Sequence, residues 1–275
     1  MQNKTVLITG STDGIGKETA IELAKKGATV LIHSRSSEKG EQVVTEIKSL
    51  TSNNNIEFFS ADFTSLNQVK LLSNKINEKY ESLDVLINNA GVYMKKRVLT
   101  EDRNETTFQV NHLAHFLLTN LLLDIIKKNN PSRIINVSSM AHSSAINFND
   151  LQNEKNYSGY GAYALSKLAN ILFTFKLADK LRNTKITVNC LHPGVINTKL
   201  LREGFRGGGR DVKAGSKIPV FLASSSKVEG VTGKFFASRI KGLIQKEQRA
   251  ADVAYDKDVQ DKLWKVSAML TGLKN

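Results

Sequence analysis

The chain has 275 residues, 40% of them apolar, with 18 glycines and only 3 prolines. That suffices for a substantial core, and with no Pro- or Gly-rich linker and no internal repeat a single domain over 1–275 is expected. The lone cysteine, Cys190, excludes an intrachain disulfide and points to an intracellular, cytoplasmic protein. The net charge of +13 would suit nucleic acid, but the lysines are spread over helix faces and no aromatic residues interleave with a basic stripe, so no nucleic-acid partner is expected. No apolar stretch is long enough to span a bilayer, and no integral membrane anchor is expected.

The first element is Thr5-Val6-Leu7-Ile8, a β-branched and apolar run of the kind that fills a buried parallel strand. Thr9-Gly10-Ser11-Thr12-Asp13-Gly14-Ile15-Gly16 follows, then an amphipathic helix from Lys17 that closes at Gly27. Strand, glycine turn and helix in this order suit a dinucleotide. The glycines let the backbone turn tightly and approach a pyrophosphate, and amides at the helix N-terminus face its phosphates. The spacing is Gly-x3-Gly-x-Gly, not the commoner Gly-x-Gly-x2-Gly. A second strand, from Ala28 to His33, ends at Ser34-Arg35-Ser36 with no carboxylate. An acidic residue there bonds a ribose 2′-hydroxyl, whereas an arginine suits a 2′-phosphate, so NADP(H) is the expected cofactor, with NAD(H) possible. Asp13 in the turn is a signal in the opposite direction.

Further strands are expected from near Ile56, Leu83, Arg133, Lys185 and Gly233. Alternating with helices, they give an α/β, Rossmann-like doubly wound parallel sheet of about seven strands with helices on both faces. Tyr163-Ala164-Leu165-Ser166-Lys167 comes 24 residues after Ser139. Residues four apart share a helix face, so the phenol of Tyr163 and the ammonium of Lys167 project into one space. A nearby cation favours the phenolate and pulls a tyrosine pKa down from its free value of about 10. Tyr163 is therefore a candidate proton donor and acceptor. Tyr157 and Tyr160 have Gly161 and Ala164 four residues on, and neither has such a partner. His112 and His115 lie three apart on a helix with no carboxylate or cysteine cluster to complete a metal site, so no metal is expected. Cys190 lies in an apolar strand and reads as a small buried hydrophobe.

Together these residues resemble the short-chain dehydrogenase/reductases, and within them the retinol-dehydrogenase-like branch. The resemblance runs from Thr5 to about Leu273. It rests on Thr9-Gly10 through Gly14-Ile15-Gly16-Lys17-Glu18-Thr19-Ala20, Asp62, Asn88-Asn89-Ala90-Gly91, the run from Val110 through Leu118, Arg133 through His142, Tyr163 through Phe173, and His192-Pro193-Gly194 with Thr198. It implies that Tyr163 is the acid/base and that Lys167 lowers its pKa and holds the nicotinamide ribose. Asn111 would hold a water linking the lysine to a proton relay. Ser139 would orient the substrate oxygen; in the alternative register that serine is Ser138, which otherwise lies beside the nicotinamide through its backbone.

For the cofactor, the resemblance implies contacts from Gly10, Ser11, Asp13, Gly14, Ile15 and Gly16, then from Ser34 and Arg35. Asp62, with Phe63 after it, would accept from the adenine amino group. Asn88, Asn89, Ala90 and Gly91 would brace the cofactor at the end of the fourth strand, with Pro193, Gly194 and Thr198 at its far end. The extra loop from Ala141 to Ser158 resembles the insertion of the retinol-dehydrogenase-like branch. A substrate lid is expected around 194–217, where Arg202 to Lys213 is rich in arginine and holds three consecutive glycines. The activity implied is NADP(H)-dependent interconversion of an alcohol and a carbonyl on a mainly apolar small molecule. A homodimer through the helices of Asn111 and Tyr163 is also implied. The competing reading is a catalytically idle NADP(H)-binding module acting through protein contacts, against which the complete Asn-Ser-Tyr-Lys set argues.

Overall fold

The computed structural model describes residues 1–129, 131–205, 208–238 and 245–273. Its strands are β1 (Thr5–Ile8), β2 (Thr29–Ser34), β3 (Ile56–Ser60), β4 (Val85–Asn88), β5 (Arg133–Val137), β6 (Thr187–His192), β7 (Phe235–Ser238) and β8 (Gln245–Gln248). They form one sheet ordered β3-β2-β1-β4-β5-β6-β7-β8, parallel except for β8, which runs antiparallel to β7. The seven expected strands are present, and an eighth is added. Gln245-Lys246-Glu247-Gln248 has no apolar residue and no alternation, because an edge strand needs neither buried face to hold its hydrogen bonds.

The pleat sorts the core into two layers. Val6 and Ile8 of β1 point to one face, where they meet Ala20 and Ile21 of α1 (Gly14–Lys25), Val43 and Ile47 of α2 (Ser37–Thr51) and Ile218 and Leu222 of α8 (Val212–Ser224). Leu7 points to the other face and joins Leu72 of α3 (Leu66–Lys79), Leu117 of α5 (Ala114–Lys128) and Leu172 of α6 (Gly159–Lys180). The short α4 (Thr106–Phe108) enters α5 through a π-helical turn over Gln109–Leu113. The short α7 (Lys199–Gly204) lies between β6 and α8.

A last helix, α9 (Lys257–Thr271), covers the outer side of α5 and α6. Its Trp264 ring sits 4.9 Å from Phe116 and 5.9 Å from Phe173. This explains why α6 is buried on nearly every side, with the sheet beneath it and another helix above.

The strand order reverses between β1 and β4: the chain moves outward through β2 and β3, then returns to build the other half. Loops leaving the carboxyl ends of β1 and β4 diverge there and leave a crevice, the place where open α/β sheets bind ligands.

Candidate active site

A cavity of about 1110 Å³ runs along this carboxyl edge. At one end is the glycine turn. Asp13 caps α1 by accepting from Gly14 N at 2.7 Å. Gly10 has φ +62°, and a Cβ on it would lie 2.8 Å from Ala90 Cα. A Cβ on Gly16 would lie 2.3 Å from Gly10 O. The turn therefore closes only with glycine at both positions. Gly10, Asp13, Gly14, Ile15 and Gly16 all line the cavity, as do Ser34 and the exposed Arg35.

Ser11 does not line it. Its hydroxyl donates to Ile8 O at 2.7 Å and accepts from His33 N at 3.0 Å, so this residue holds β1 to β2 instead of facing a ligand. His33, unremarked in the sequence, takes a central place. Its Nδ1 accepts from Gly10 N at 3.2 Å, its Nε2 meets Ala61 O at 3.1 Å, and its ring stacks on Phe63 at 4.3 Å. Burial holds the ring neutral, with its pKa down to about 4.

Asp62 and Phe63 continue the lining, and Asp62 Oδ1 accepts from Thr64 N at 2.9 Å. Asn89, Ala90 and Gly91 form the middle, where Asn89 Nδ2 clamps the glycine turn through Thr9 O at 2.8 Å and Gly10 O at 3.0 Å. Asn88, by contrast, points inward to Thr119 and Asn136. At the far end, Pro193, Gly194 and Thr198 line the cavity, and Thr198 caps α7.

Tyr163, Lys167, Ser138 and Ser139 meet between these ends. Ser138 Oγ is committed to Lys167 O at 2.7 Å, whereas Ser139 is the serine hydrogen-bonded to the Tyr163 phenol. Of the two serines, Ser139 is thus the one beside the phenol. His142 Nδ1 donates to Ser139 O at 2.7 Å while its Nε2 accepts from Ala251 N at 3.0 Å, pinning the loop that carries Ser139.

The expected lowering of the tyrosine pKa is not found. Burial pushes the Tyr163 phenol up to about 12, with the Ser139 bond acting the other way. The Lys167 Nζ lies 5.5 Å from the ring centroid and donates to Val137 O at 3.0 Å, so its charge is spent on a carbonyl instead of on the phenol oxygen. Burial also draws Lys167 down to about 8. Helical spacing brings the two side chains together; desolvation, which spacing does not report, sets the sign of the shift.

Asn111 lies behind the cavity wall. Its side chain accepts from Val92 N at 2.7 Å and donates to Val92 O and Ser166 Oγ. Its main-chain carbonyl accepts from His115 Nδ1 at 3.0 Å and from Asn170 Nδ2 at 2.9 Å. Both lone pairs are thus met by protein donors, so the relay water implied for this residue has no free place on that oxygen. His112 and His115 are both buried with their ring nitrogens on protein partners, and among the described residues no group of three or more His, Cys, Asp or Glu is placed to hold a metal.

An aromatic group that no motif signalled surrounds the Tyr163 ring at this end of the cavity. Phe205 lies 5.6 Å from Tyr163, 5.7 Å from Tyr93 and 6.1 Å from Tyr160, centroid to centroid. Arg206 and Gly207 of the expected lid lie outside the described residues. Tyr157 is turned away, its hydroxyl donating to Met94 O at 2.7 Å.

A family profile described as short chain dehydrogenase matches residues 4–207. The chain belongs to the short-chain dehydrogenase/reductase family. Within it the chain is retinol-dehydrogenase-like: it is 40% identical to human retinol dehydrogenase 13 over 98% of its own length and 85% of that protein. A solved structure of an uncharacterised protein from Mycobacterium paratuberculosis superposes with a TM-score of 0.83 at 33% identity, covering 98% of this chain and 94% of that one. A short-chain dehydrogenase from Escherichia coli, solved with NADPH, has a TM-score of 0.72 at 26% identity and covers 86% of this chain and 97% of its own. The family is one of nicotinamide-dependent oxidoreductases, and the turn, cavity and tyrosine–lysine helix described above fit such a cofactor. Among the described residues no helix is long and apolar enough to cross a membrane.

Proposed function

We propose that this short-chain dehydrogenase/reductase interconverts an alcohol and a carbonyl on a mainly apolar small molecule, with NADP(H) preferred over NAD(H). The observation that carries the reading is one continuous cavity holding Arg35 at one end and Tyr163, Ser139 and Lys167 towards the other. When bound, the cofactor supplies the hydride chemistry. Tyr163 holds a proton at its phenol oxygen; buried and pushed up to about 12, the phenol is in the protonated form that reduction of a carbonyl needs. Ser139 orients the substrate oxygen towards that phenol. Lys167, with its ammonium in a dry wall, supports both the phenol and the ribose. Asp62 meets adenine, and Arg35 meets the 2′-phosphate.

Phe205, Tyr93 and Tyr160 make the substrate end apolar and aromatic, which favours a carbonyl on a hydrocarbon frame. We read residues 194–217 as the lid that carries Phe205 over Tyr163, within one domain. The face of α5 and α6 through which pairing was expected is packed against α9, so a second copy docking there would have to displace Trp264. Pairing through that face is therefore not part of this reading. The protein acts in the cytoplasm on this proposal; recovery in the membrane pellet after a high-salt wash would oppose it. The central test follows reduced-nicotinamide absorbance with a panel of aliphatic, aromatic and polyene aldehydes and ketones. Turnover of apolar carbonyls with NADPH supports the reading, and no turnover with either cofactor overturns it.

A further inference from the structure

Behind the catalytic wall lies a chain of hydrogen bonds that the reaction as described does not use. Ser267 on α9 stands 2.8 Å from His112 Nε2, and His112 Nδ1 stands 3.3 Å from Asn170 Oδ1. Asn170 Nδ2 then donates to Asn111 O at 2.9 Å and to Val137 O at 3.4 Å. Val137 O is the acceptor that holds Lys167 Nζ at 3.0 Å. None of these side chains exceeds 3% exposure.

The direction of every donor follows from the acceptors at the end. A carbonyl only accepts, so Asn170 must present its amide nitrogen to Asn111 O and Val137 O, which turns its oxygen towards His112. His112 therefore carries its proton on Nδ1, and its bare Nε2 takes the Ser267 hydroxyl. Burial keeps the ring neutral, its pKa down to about 4, as this tautomer requires. Three bonds thus point the same way, each polarising the next in a dry interior. The π-helical turn at Gln109–Leu113 places Asn111 where its carbonyl turns to these side-chain donors.

We infer that Asn170, oriented through His112 by Ser267 of α9, is a positioning residue that fixes the two carbonyls beside Lys167. Through them it sets where the lysine stands relative to Tyr163 and the ribose. The inference rests on the proposed oxidoreductase activity but concerns groups that never touch substrate. Asn170 is three residues beyond Lys167 on the same helix, so the amide and the ammonium rise from one face and share one acceptor. Without the amide, Val137 O answers to Lys167 alone and the Asn111 carbonyl loses one of its two side-chain donors. The ammonium is then free to drift, and small misplacements of a catalytic group carry large rate costs.

The test uses the full chain with Ser267→Ala, His112→Leu and His112→Asn, and Met269→Ala as the control, since Met269 is an exposed residue of α9, 72% accessible. Each protein is measured for kcat and KM on one accepted carbonyl, for NADPH affinity by fluorescence titration, and for thermal midpoint. His112→Leu is expected to lower kcat about 10-fold and Ser267→Ala about 3-fold, with carbonyl KM held within about 2-fold, and both to weaken NADPH about 3-fold. His112→Asn keeps a donor at the Nδ1 position but loses the Ser267 contact, and is expected to recover kcat to the level of Ser267→Ala. Met269→Ala is expected to match the unmodified protein. A merely structural role would lower the thermal midpoint and leave kcat per folded molecule unchanged; that result, or a His112→Asn no better than His112→Leu, overturns the inference. Should His112→Leu fail to fold, Ser267→Ala, which removes one hydroxyl, decides alone. If the unmodified protein turns over no carbonyl, the proposed function fails, and the NADPH titration still decides here: unchanged affinity in Ser267→Ala and His112→Leu overturns the positioning role.

Discussion

Phe205 meets Tyr163 edge to face, with ring centroids 5.6 Å apart and planes at 77°. The aromatic residue that follows α7 thus rests on the ring whose hydroxyl is proposed to carry the proton. Truncating it removes apolar surface where substrate would enter but leaves the phenol in place. Phe205→Ala is expected to raise KM for an apolar carbonyl about 10-fold with a smaller change in kcat, the loss of one aromatic contact face. Steady-state kinetics on the unmodified and altered proteins checks this; an unchanged KM would remove Phe205 from the substrate wall.

Tyr163→Phe deletes only the hydroxyl. Cofactor affinity and thermal midpoint are expected to stay close to those of the unmodified protein, while kcat falls by about 10²- to 10⁴-fold. Tyr160→Phe, at a position 52% exposed, is the comparison and is expected to keep most activity. Near-normal turnover in Tyr163→Phe would move the acid/base role elsewhere.

Arg35→Asp is expected to reverse cofactor preference. The carboxylate repels a 2′-phosphate and bonds a free 2′-hydroxyl, so NADPH weakens and NADH tightens. Dissociation constants for both cofactors in both proteins are the measurement, and equal affinities in the unmodified protein would remove the basis for the change.

Stability is expected to fall with acid well before the carboxylates titrate. Burial holds His33 and His112 down to about 4 and His115 down to about 3, against about 6.5 in an unfolded chain. From about 6.5 down towards 4 the unfolded state binds protons that the folded state refuses. The folded state is therefore fully favoured above that window and loses up to about 1.4 kcal/mol per histidine for each pH unit within it. Urea midpoints taken from pH 7.5 to 5 should drop steadily. A flat profile would mean that these rings accept protons in place.

How much of this was legible in the sequence depended on which physical term was in charge. Thr5–Ile8 and Ala28–Ile32 are mostly apolar runs because both faces of a parallel strand are buried, so the strands and the parallel, doubly wound class of the sheet could be read directly. Gln245–Gln248 carries no such run, and its place on the sheet is set by pairing with β7 and by the Lys234–Glu247 ion pair. At the site, the four-residue spacing of Tyr163 and Lys167 was visible, but the sign of the Tyr163 shift was not, since desolvation depends on what packs around the pair. Ser11 sat inside a matching motif and turned inward, because β2 needed its hydroxyl at His33 N. Phe205 and Asn170 gave no signal as single residues; one is an isolated aromatic in an arginine- and glycine-rich stretch, the other a polar residue in a helix whose buried sides were not yet known.

The antiparallel β8 also bears on how molecules of this chain meet one another. A parallel sheet that stopped at β7 would present the strand Phe235-Phe236-Ala237-Ser238 as its margin, an apolar ladder on which another chain's strand could align. By folding back, the chain seals that margin with a four-residue strand of glutamine, lysine and glutamate. The opposite margin, β3, is likewise marked by charge, with Glu57 held by Lys79 and by the Tyr80 hydroxyl. Both borders of the sheet thus carry charged and polar side chains of the kind that discourage strand-to-strand growth between copies.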